Sequence, residues 1–180
     1  GLTAKVFRTY LATNVVKETL KNSPVEEARK SEQAAIFYAK LANLEAAITC
    51  NHKRAPPKNW ENSIARKEEA VKKAETRLED AKKKKKKVNT DKLVARLEKA
   101  RYNLELALRT KDYNLNTSLR NYIDPRVYKA WGQLVKLDWR KLYTASLQRK
   151  FKWVERANVG EFVKELMTPI QQLETPAIRQ

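Results

Sequence analysis

The chain has 180 residues, 39 of them Lys or Arg and 21 Asp or Glu, for a net charge of +18 and a pI of about 10.0. That balance points to a polyanionic partner, nucleic acid first and an anionic membrane surface second. With 33% charged residues and 3 glycines it favours long solvated helices over sheets. No apolar run approaches the roughly 20 residues that cross a bilayer, no signal-peptide pattern is visible, and Cys50 as the sole cysteine excludes an internal disulfide.

Residues 3 to about 20 read as a helix, with Phe7, Tyr10, Leu11 and Val15 recurring at helical spacing. Ser23-Pro24-Val25-Glu26 is a start signal, with serine as cap, proline at the first position and glutamate at the third. The helix it predicts carries Ala28, Ala35, Tyr38, Leu41, Leu44 and Ile48 on one side and runs to about Asn51. Pro56-Pro57 then forces an extended turn.

From Trp60 to Lys87 a narrow seam of Ile64, Val71, Ala74, Leu78 and Ala81 runs through Lys, Arg and Glu. Val88-Asn89-Thr90-Asp91 interrupts it, and Leu93, Leu97, Ala100, Leu104 and Leu108 form a second seam. Two narrow-seamed helices joined by a short turn predict an antiparallel hairpin, each arm roughly 30 to 40 Å long at about 1.5 Å per residue. Lys82 to Lys87 is a run of six lysines at its tip. It reads as a solvated helix end whose phosphate contacts would weaken with salt, with a nuclear-localisation role as the weaker reading.

Asn114 to Asn121 is polar and reads as irregular. Asp124 as cap and Pro125 at the first position start a helix to about Val135 that buries Val127 and Trp131, with Leu134 a further candidate. Another helix is expected from about Asp138 to Ala157, with a break near Thr144 left open. Its Trp139, Leu142, Tyr143, Leu147, Phe151, Trp153 and Val154 read as core. Residues 161–180 lose the aromatics, gain Pro169 and Pro176, and read as a loosely attached tail. No β-pattern emerges, so the predicted fold is all-α.

Tyr122, on a short connector just before the Asp124-Pro125 start, is a weak nucleophile at neutral pH, because a free tyrosine has a pKa near 10. Alone it is more simply a surface residue. Arg8 suits a phosphate because its planar fork gives two parallel charge-assisted bonds, although most arginines make surface ion pairs. His52 is the sole histidine and has no cysteine cluster beside it, so a metal site is not expected. It is flanked by Asn51, Lys53 and Arg54.

Three stretches change the weight of these residues: Gly1-Leu2-Thr3-Ala4-Lys5-Val6-Phe7-Arg8-Thr9-Tyr10, Asn51-His52-Lys53-Arg54-Ala55-Pro56-Pro57-Lys58, and Ser118-Leu119-Arg120-Asn121-Tyr122-Ile123-Asp124-Pro125-Arg126. In that order they resemble the carboxy-terminal part of eukaryotic- or archaeal-type DNA topoisomerase IB, whose segments read GLTAKVFRTYN, NHQRAPPK and SKLNYLDPR. A charged coiled linker separates the second and third in both. Beginning on Gly1 inside a motif, the chain reads as the carboxy-terminal piece of a longer polypeptide, whether nicked, excised or one subunit of a split enzyme.

The resemblance implies the end of a catalytic core at 1–58, a basic linker hairpin at 59–112 and a carboxy-terminal domain at 113–160, followed by the 161–180 tail. It implies that Tyr122 attacks a DNA backbone phosphate to form a 3′-phosphotyrosyl link. Arg8 and His52 would donate to the non-bridging oxygens, and neither ATP nor metal would be needed. Lys5, Lys53, Arg54, Lys58, Asn121 and Arg126 would contact DNA, Asn121 near the cleavage site and camptothecin pocket. The family's upstream arginine and lysine precede Gly1, so the implied partners are duplex DNA and the N-terminal core portion of the enzyme, and no membrane. The implied location is intracellular and DNA-associated: nuclear if eukaryotic, cytoplasm or nucleoid if archaeal.

Two positions depart from the family. Leu119 stands where it has lysine, with Arg120 placing the basic side chain one position nearer the tyrosine, and Leu11 replaces the asparagine after FRTY. A tyrosine recombinase shares the chemistry but lacks the lysine-rich hairpin and the RAPPK segment. A non-catalytic basic coiled-coil protein would satisfy the charge and leave the three motifs unexplained.

Overall fold

Caps and turn residues divide the chain into short helices that close on one core. The computed structural model describes residues 1–84 and 90–168; the second half of the lysine run, the Val88-Asn89 turn and residues 169–180 lie outside them. Nine α-helices follow one another among the described residues: α1 Ala4–Lys21, α2 Val25–Arg29, α3 Glu32–Thr49, α4 Trp60–Lys83, α5 Thr90–Arg109, α6 Leu115–Asn121, α7 Pro125–Val135, α8 Ala145–Lys150 and α9 Gly160–Met167. Single 3₁₀ turns at Trp139–Leu142 and Lys152–Arg156 flank α8. The all-α expectation holds: among the described residues the one β-feature is an isolated bridge between Lys53 and Tyr113.

Segments on both sides of the α4–α5 hairpin build one core. Ala12, Val16 and Leu20 of α1, Ala35, Ala39, Ala42 and Ala46 of α3, and Val127, Tyr128 and Trp131 of α7 belong to it. The alanine row on α3 lets the large α7 aromatics come close enough to reach its backbone. Trp131 Nε1 donates to the Ala35 carbonyl at 3.1 Å and the Tyr128 hydroxyl to the Ala39 carbonyl at 3.0 Å, one helical turn apart. Both rings are thereby buried with their polar tips satisfied. Asp124 caps α7 by accepting from Arg126 N, with Pro125 in the first turn as predicted. The helix stops on Lys136, in the left-handed region at φ 58°. Gly132 is required there, because a Cβ would sit 2.4 Å from the Leu137 carbonyl oxygen.

The hairpin is held differently. Ala74, Leu78 and Leu97 form a small separate cluster, flanked by Val71 and Leu93, while Leu108 of the predicted seam is exposed. Its attachment to the body is specific. Tyr102 stacks on Phe37 of α3 at 4.4 Å and Glu98 accepts from Ser31, while Trp60 Nε1, donating to the Ala107 carbonyl at 3.4 Å, ties the two arms together at their base.

Several expectations need correction. The inner face of α1 is Ala12, Val16 and Leu20; Phe7 and Tyr10 are 67% and 68% exposed. The helix expected from the Ser23-Pro24 signal is two helices, because Ser31 accepts from Ala34 N and caps a new start. Ser23 caps nothing; its hydroxyl donates to the Thr19 carbonyl. Of the side read on that helix, Ile48 is exposed. Residues 115–121, expected to be irregular, are α6, capped by the Asn114 side chain. The run from Asp138 to Ala157 breaks at Thr144, which caps α8, and again at Phe151. Trp153, read as core, is half exposed. Residues 161–167, read as loose tail, belong to α9, which packs on α7 and α1 and buries Leu166.

Candidate active site

The three motif residues come from separate parts of the chain, and local backbone chemistry places each one. α3 ends in a Schellman turn: Asn51 adopts the left-handed conformation at φ 56°, its N–H bonds the Ile48 carbonyl, and His52 N–H bonds the Ala47 carbonyl at 2.8 Å. Asparagine tolerates that conformation better than most residues, so the Asn-His pair turns His52 back over the helix end. The following strand-like stretch is tied to the chain beyond the hairpin. Arg54 N–H donates to the Asp112 carbonyl, Asn114 N–H to the His52 carbonyl at 2.8 Å, and the Arg54 guanidinium to the Thr110 carbonyl at 2.9 Å.

Tyr122 caps the end of α6. α6 is fastened to α3 by a buried pair that sequence reasoning missed in part: Ser118 donates to Asn43 Oδ1 at 2.8 Å, and Asn43 Nδ2 donates to the Leu115 carbonyl at 3.1 Å. A second tie comes from α1. Thr13 donates to the Tyr122 carbonyl at 3.3 Å and accepts from Asp124 N–H at 3.1 Å. Asn43 and Thr13 carried one legible signal, a polar side chain set among alanines and leucines on an otherwise apolar face.

These supports bring Tyr122 over His52, with ring centroids 5.5 Å apart and planes 23° from parallel. Both imidazole nitrogens are buried there with no hydrogen-bond partner. Burial lowers the His52 pKa, and the nearby Arg8 charge lowers it further. The same arginine opposes the upward push that burial gives the Cys50 thiol. Arg8 itself is exposed on the first turns of α1. The structure thus brings Arg8, His52 and Tyr122 into one neighbourhood. Tyr122, which alone reads as a surface residue, is half-buried against the histidine.

The other predicted contact residues differ in circumstance. Lys5, Lys53, Arg54, Lys58 and Asn121 are exposed. Arg126 is engaged with Asp124 through a 2.6 Å ion pair and lies 5.0 Å over the Phe162 ring. No group of three or more His, Cys, Asp or Glu among the described residues is placed to hold a metal ion, and no described helix is long and apolar enough to cross a membrane.

The geometry defines the class: an all-α protein bearing a basic two-helix hairpin, with an arginine, a histidine and a tyrosine gathered from three motifs. Comparison with known proteins makes it particular. Residues 1–85 match the model of the catalytic core of eukaryotic DNA topoisomerase I, and residues 94–163 match that of the C-terminal topoisomerase domain. The chain is 36% identical over 174 residues to DNA topoisomerase 1 of Rattus norvegicus and 35% to that of Homo sapiens, in each case over 85% of this chain and 22% of the relative. It is 34% identical to the mitochondrial DNA topoisomerase I of Homo sapiens, over 85% of this chain and 29% of that protein. The chain belongs to the eukaryotic DNA topoisomerase I family and corresponds to its carboxy-terminal part, spanning 22% of the length of the first two relatives.

Proposed function

We propose that this chain is the nucleophile-bearing portion of a type IB DNA topoisomerase, which relaxes supercoiled duplex DNA by cutting one strand, letting it rotate and resealing it. The observation that carries the reading is the convergence of Tyr122 and His52 beside Arg8, from motifs that lie 44 and 70 residues apart in the chain (8 to 52, 52 to 122). Tyr122 Oη gives up its proton and attacks a backbone phosphorus, and the P–O bond to the 5′-oxygen breaks. The enzyme keeps a 3′-phosphotyrosyl ester and the 5′-hydroxyl leaves with a proton. Extra negative charge on the non-bridging oxygens is met by the Arg8 guanidinium and an imidazole N–H of His52. The ester stores the bond energy, so rejoining runs the steps backwards without ATP or metal.

His52 cannot reach a phosphate while the Tyr122 ring covers it. In this reading the stacked arrangement is a resting state, and DNA entry moves the tyrosine outward, freeing the buried nitrogens. A buried polar group without a partner is costly, so the orphaned imidazole favours a phosphate oxygen once the ring has moved. Lys5, Lys53, Arg54, Lys58 and Asn121 are contacts to the DNA, and the hairpin lies along the duplex beyond the cut and slows rotation. Arg126 acts mainly by holding Asp124.

The proton for the leaving 5′-oxygen and a further phosphate-binding arginine come from the N-terminal core portion of the enzyme. Leu2, Val6, Phe7 and Tyr10, exposed along the start of α1, form an apolar strip suited to docking that portion. The working location is wherever the DNA is, the nucleus in a eukaryote. The test mixes this chain with a polypeptide carrying the upstream arginine and lysine, then follows relaxation of supercoiled plasmid without magnesium or ATP. Relaxation should require both pieces and vanish with Tyr122→Phe. Salt-sensitive DNA binding without relaxation by the pair would overturn the reading, as would efficient nicking by this chain alone.

A further inference from the structure

One hollow of the described structure is lined by neither Tyr122 nor His52. A cavity of about 580 Å³ opens where the base of the hairpin crosses the body, between α3, the C-terminal half of α5, α6 and α8. That size is in the range of sites for small organic ligands. Its apolar wall is made by Leu106, Leu115, Leu119, Leu142 and Leu147, so water inside it gains little. Lys40 and Lys67 both line it, together with the Asn103 and Asn116 amides. No acidic side chain among the described residues lines it. Among the described residues Lys40 has no ion pair, and the Lys67 ammonium finds only the Ser63 hydroxyl at 3.5 Å. Two other lysines are by contrast engaged, Lys17 on Glu165 and Lys129 on three carbonyls.

We infer that this cavity is a binding site for a small organic anion with a flat apolar body, whose rings lie against the leucine wall and whose acid group is held between Lys40 and Lys67. An anion gains from two lysines uncompensated by any carboxylate, while an apolar body gains from leaving water. A cation of the same shape meets like charge. The site has a mechanical consequence. Leu115, Asn116 and Leu119 are three of the seven residues of α6, and α6 ends on Tyr122. A ligand wedged between α5 and α6 therefore stiffens the helix that carries the tyrosine, while touching neither His52 nor Arg8. The inference does not rest on the reading of Tyr122 as a nucleophile.

The probe is 2-naphthoate, titrated into the intact chain and followed by amide NMR shifts. Neutral 2-naphthalenemethanol and cationic 2-naphthylmethylamine serve as comparison arms. The expected result is saturable shifts centred on Leu106, Asn116 and Leu119, with the naphthoate at least about tenfold tighter than the amine. Lys40→Gln with Lys67→Gln should weaken naphthoate by about tenfold and leave the alcohol unchanged. Lys73→Gln with Arg77→Gln, which removes equal charge from the hairpin surface, should change neither. Ala107→Phe fills the hollow from α5 and should abolish binding of both. Equal affinity for all three probes would overturn the proposal, as would equal losses from the two double variants or shifts spread over the lysine surfaces.

Discussion

The body and the hairpin are both helical, yet opposite physical terms hold them. In the body, Trp131, Tyr128, Val16 and Val127 are almost wholly inaccessible, and residues before α4 share one core with residues after α5. In the hairpin only Ala74, Leu78 and Leu97 form a buried cluster, and the exposed surface is mostly charged, with Val94 and Leu108 among it. Hydrophobic burial stabilises the first directly. The second depends on helix propensity, exposed ion pairs of small individual worth such as Arg101–Glu75, and its fastening to α3 through Phe37–Tyr102 and Ser31–Glu98. The candidate site lies on the body's side of this division, and the hairpin base closes onto it: the His52 and Arg54 backbone is bonded to Asn114 and Asp112, and the Arg54 guanidinium to the Thr110 carbonyl.

Substitutions can break the contrast. Trp131→Ala should cost about 3–5 kcal/mol and unfold body and hairpin in one transition, because α3 is the platform for both. Two separated transitions in far- and near-ultraviolet circular dichroism would show that the hairpin stands without the body. Leu97→Ala should cost about 2 kcal/mol, the low end for a leucine because the seam is thin and open to water. That loss should show as faster amide exchange in α4 and α5 with the near-ultraviolet melt of the body unchanged; an equal shift of the body melt would join the two regions into one unit.

Ser118→Ala leaves Asn43 Oδ1 without its buried donor and should cost about 1–2 kcal/mol, with the loss of exchange protection concentrated in α6. Protection lost evenly across the body would mean that Ser118 supports the core rather than the tyrosine's helix. The smallest effect concerns pH. Burial and the Arg8 charge depress the His52 pKa, so the native state binds its proton less readily than the unfolded chain. Neutral His52 therefore adds its full stability above the ordinary histidine value near 6.5 and loses it as pH falls below that towards the depressed folded value. His52→Gln should flatten the thermal midpoint over that acidic window and nowhere else. Tyr122→Ala, which uncovers the ring, should return the His52 titration towards the ordinary range in a carbon-detected NMR experiment, whereas Tyr122→Phe should leave it depressed.

Local chemistry was legible wherever the deciding contacts lie within a few residues. The Asp124-Pro125 start of α7, the extended Pro56-Pro57 passage and the narrow seams of α4 and α5 are all of this kind. Other features needed the fold. The face of α1 is chosen by what packs on it: Ala12, Val16 and Leu20 meet α3 and α7, while the bulkier Phe7 and Tyr10, which local spacing favours, remain outside. Residues 115–121 looked irregular because Asn, Thr and Ser are poor helix formers in isolation; burial of Ser118 against Asn43, 75 residues earlier, makes them helical.

From composition and period the chain by itself determined an all-α protein and a basic hairpin, and the resemblance of its three ordered motifs to a known family pointed to Arg8, His52 and Tyr122 as the residues to watch. Tertiary structure alone decided that His52 and Tyr122 stack, that both imidazole nitrogens are sealed, and that Asn43 and Thr13 hold the tyrosine's helix in place. The reason is chain separation. Caps, turns and seams are settled by neighbours in sequence, whereas the site is settled by contacts across some 70 to 110 residues, which exist only once α1, α3 and α7 have closed on a common core.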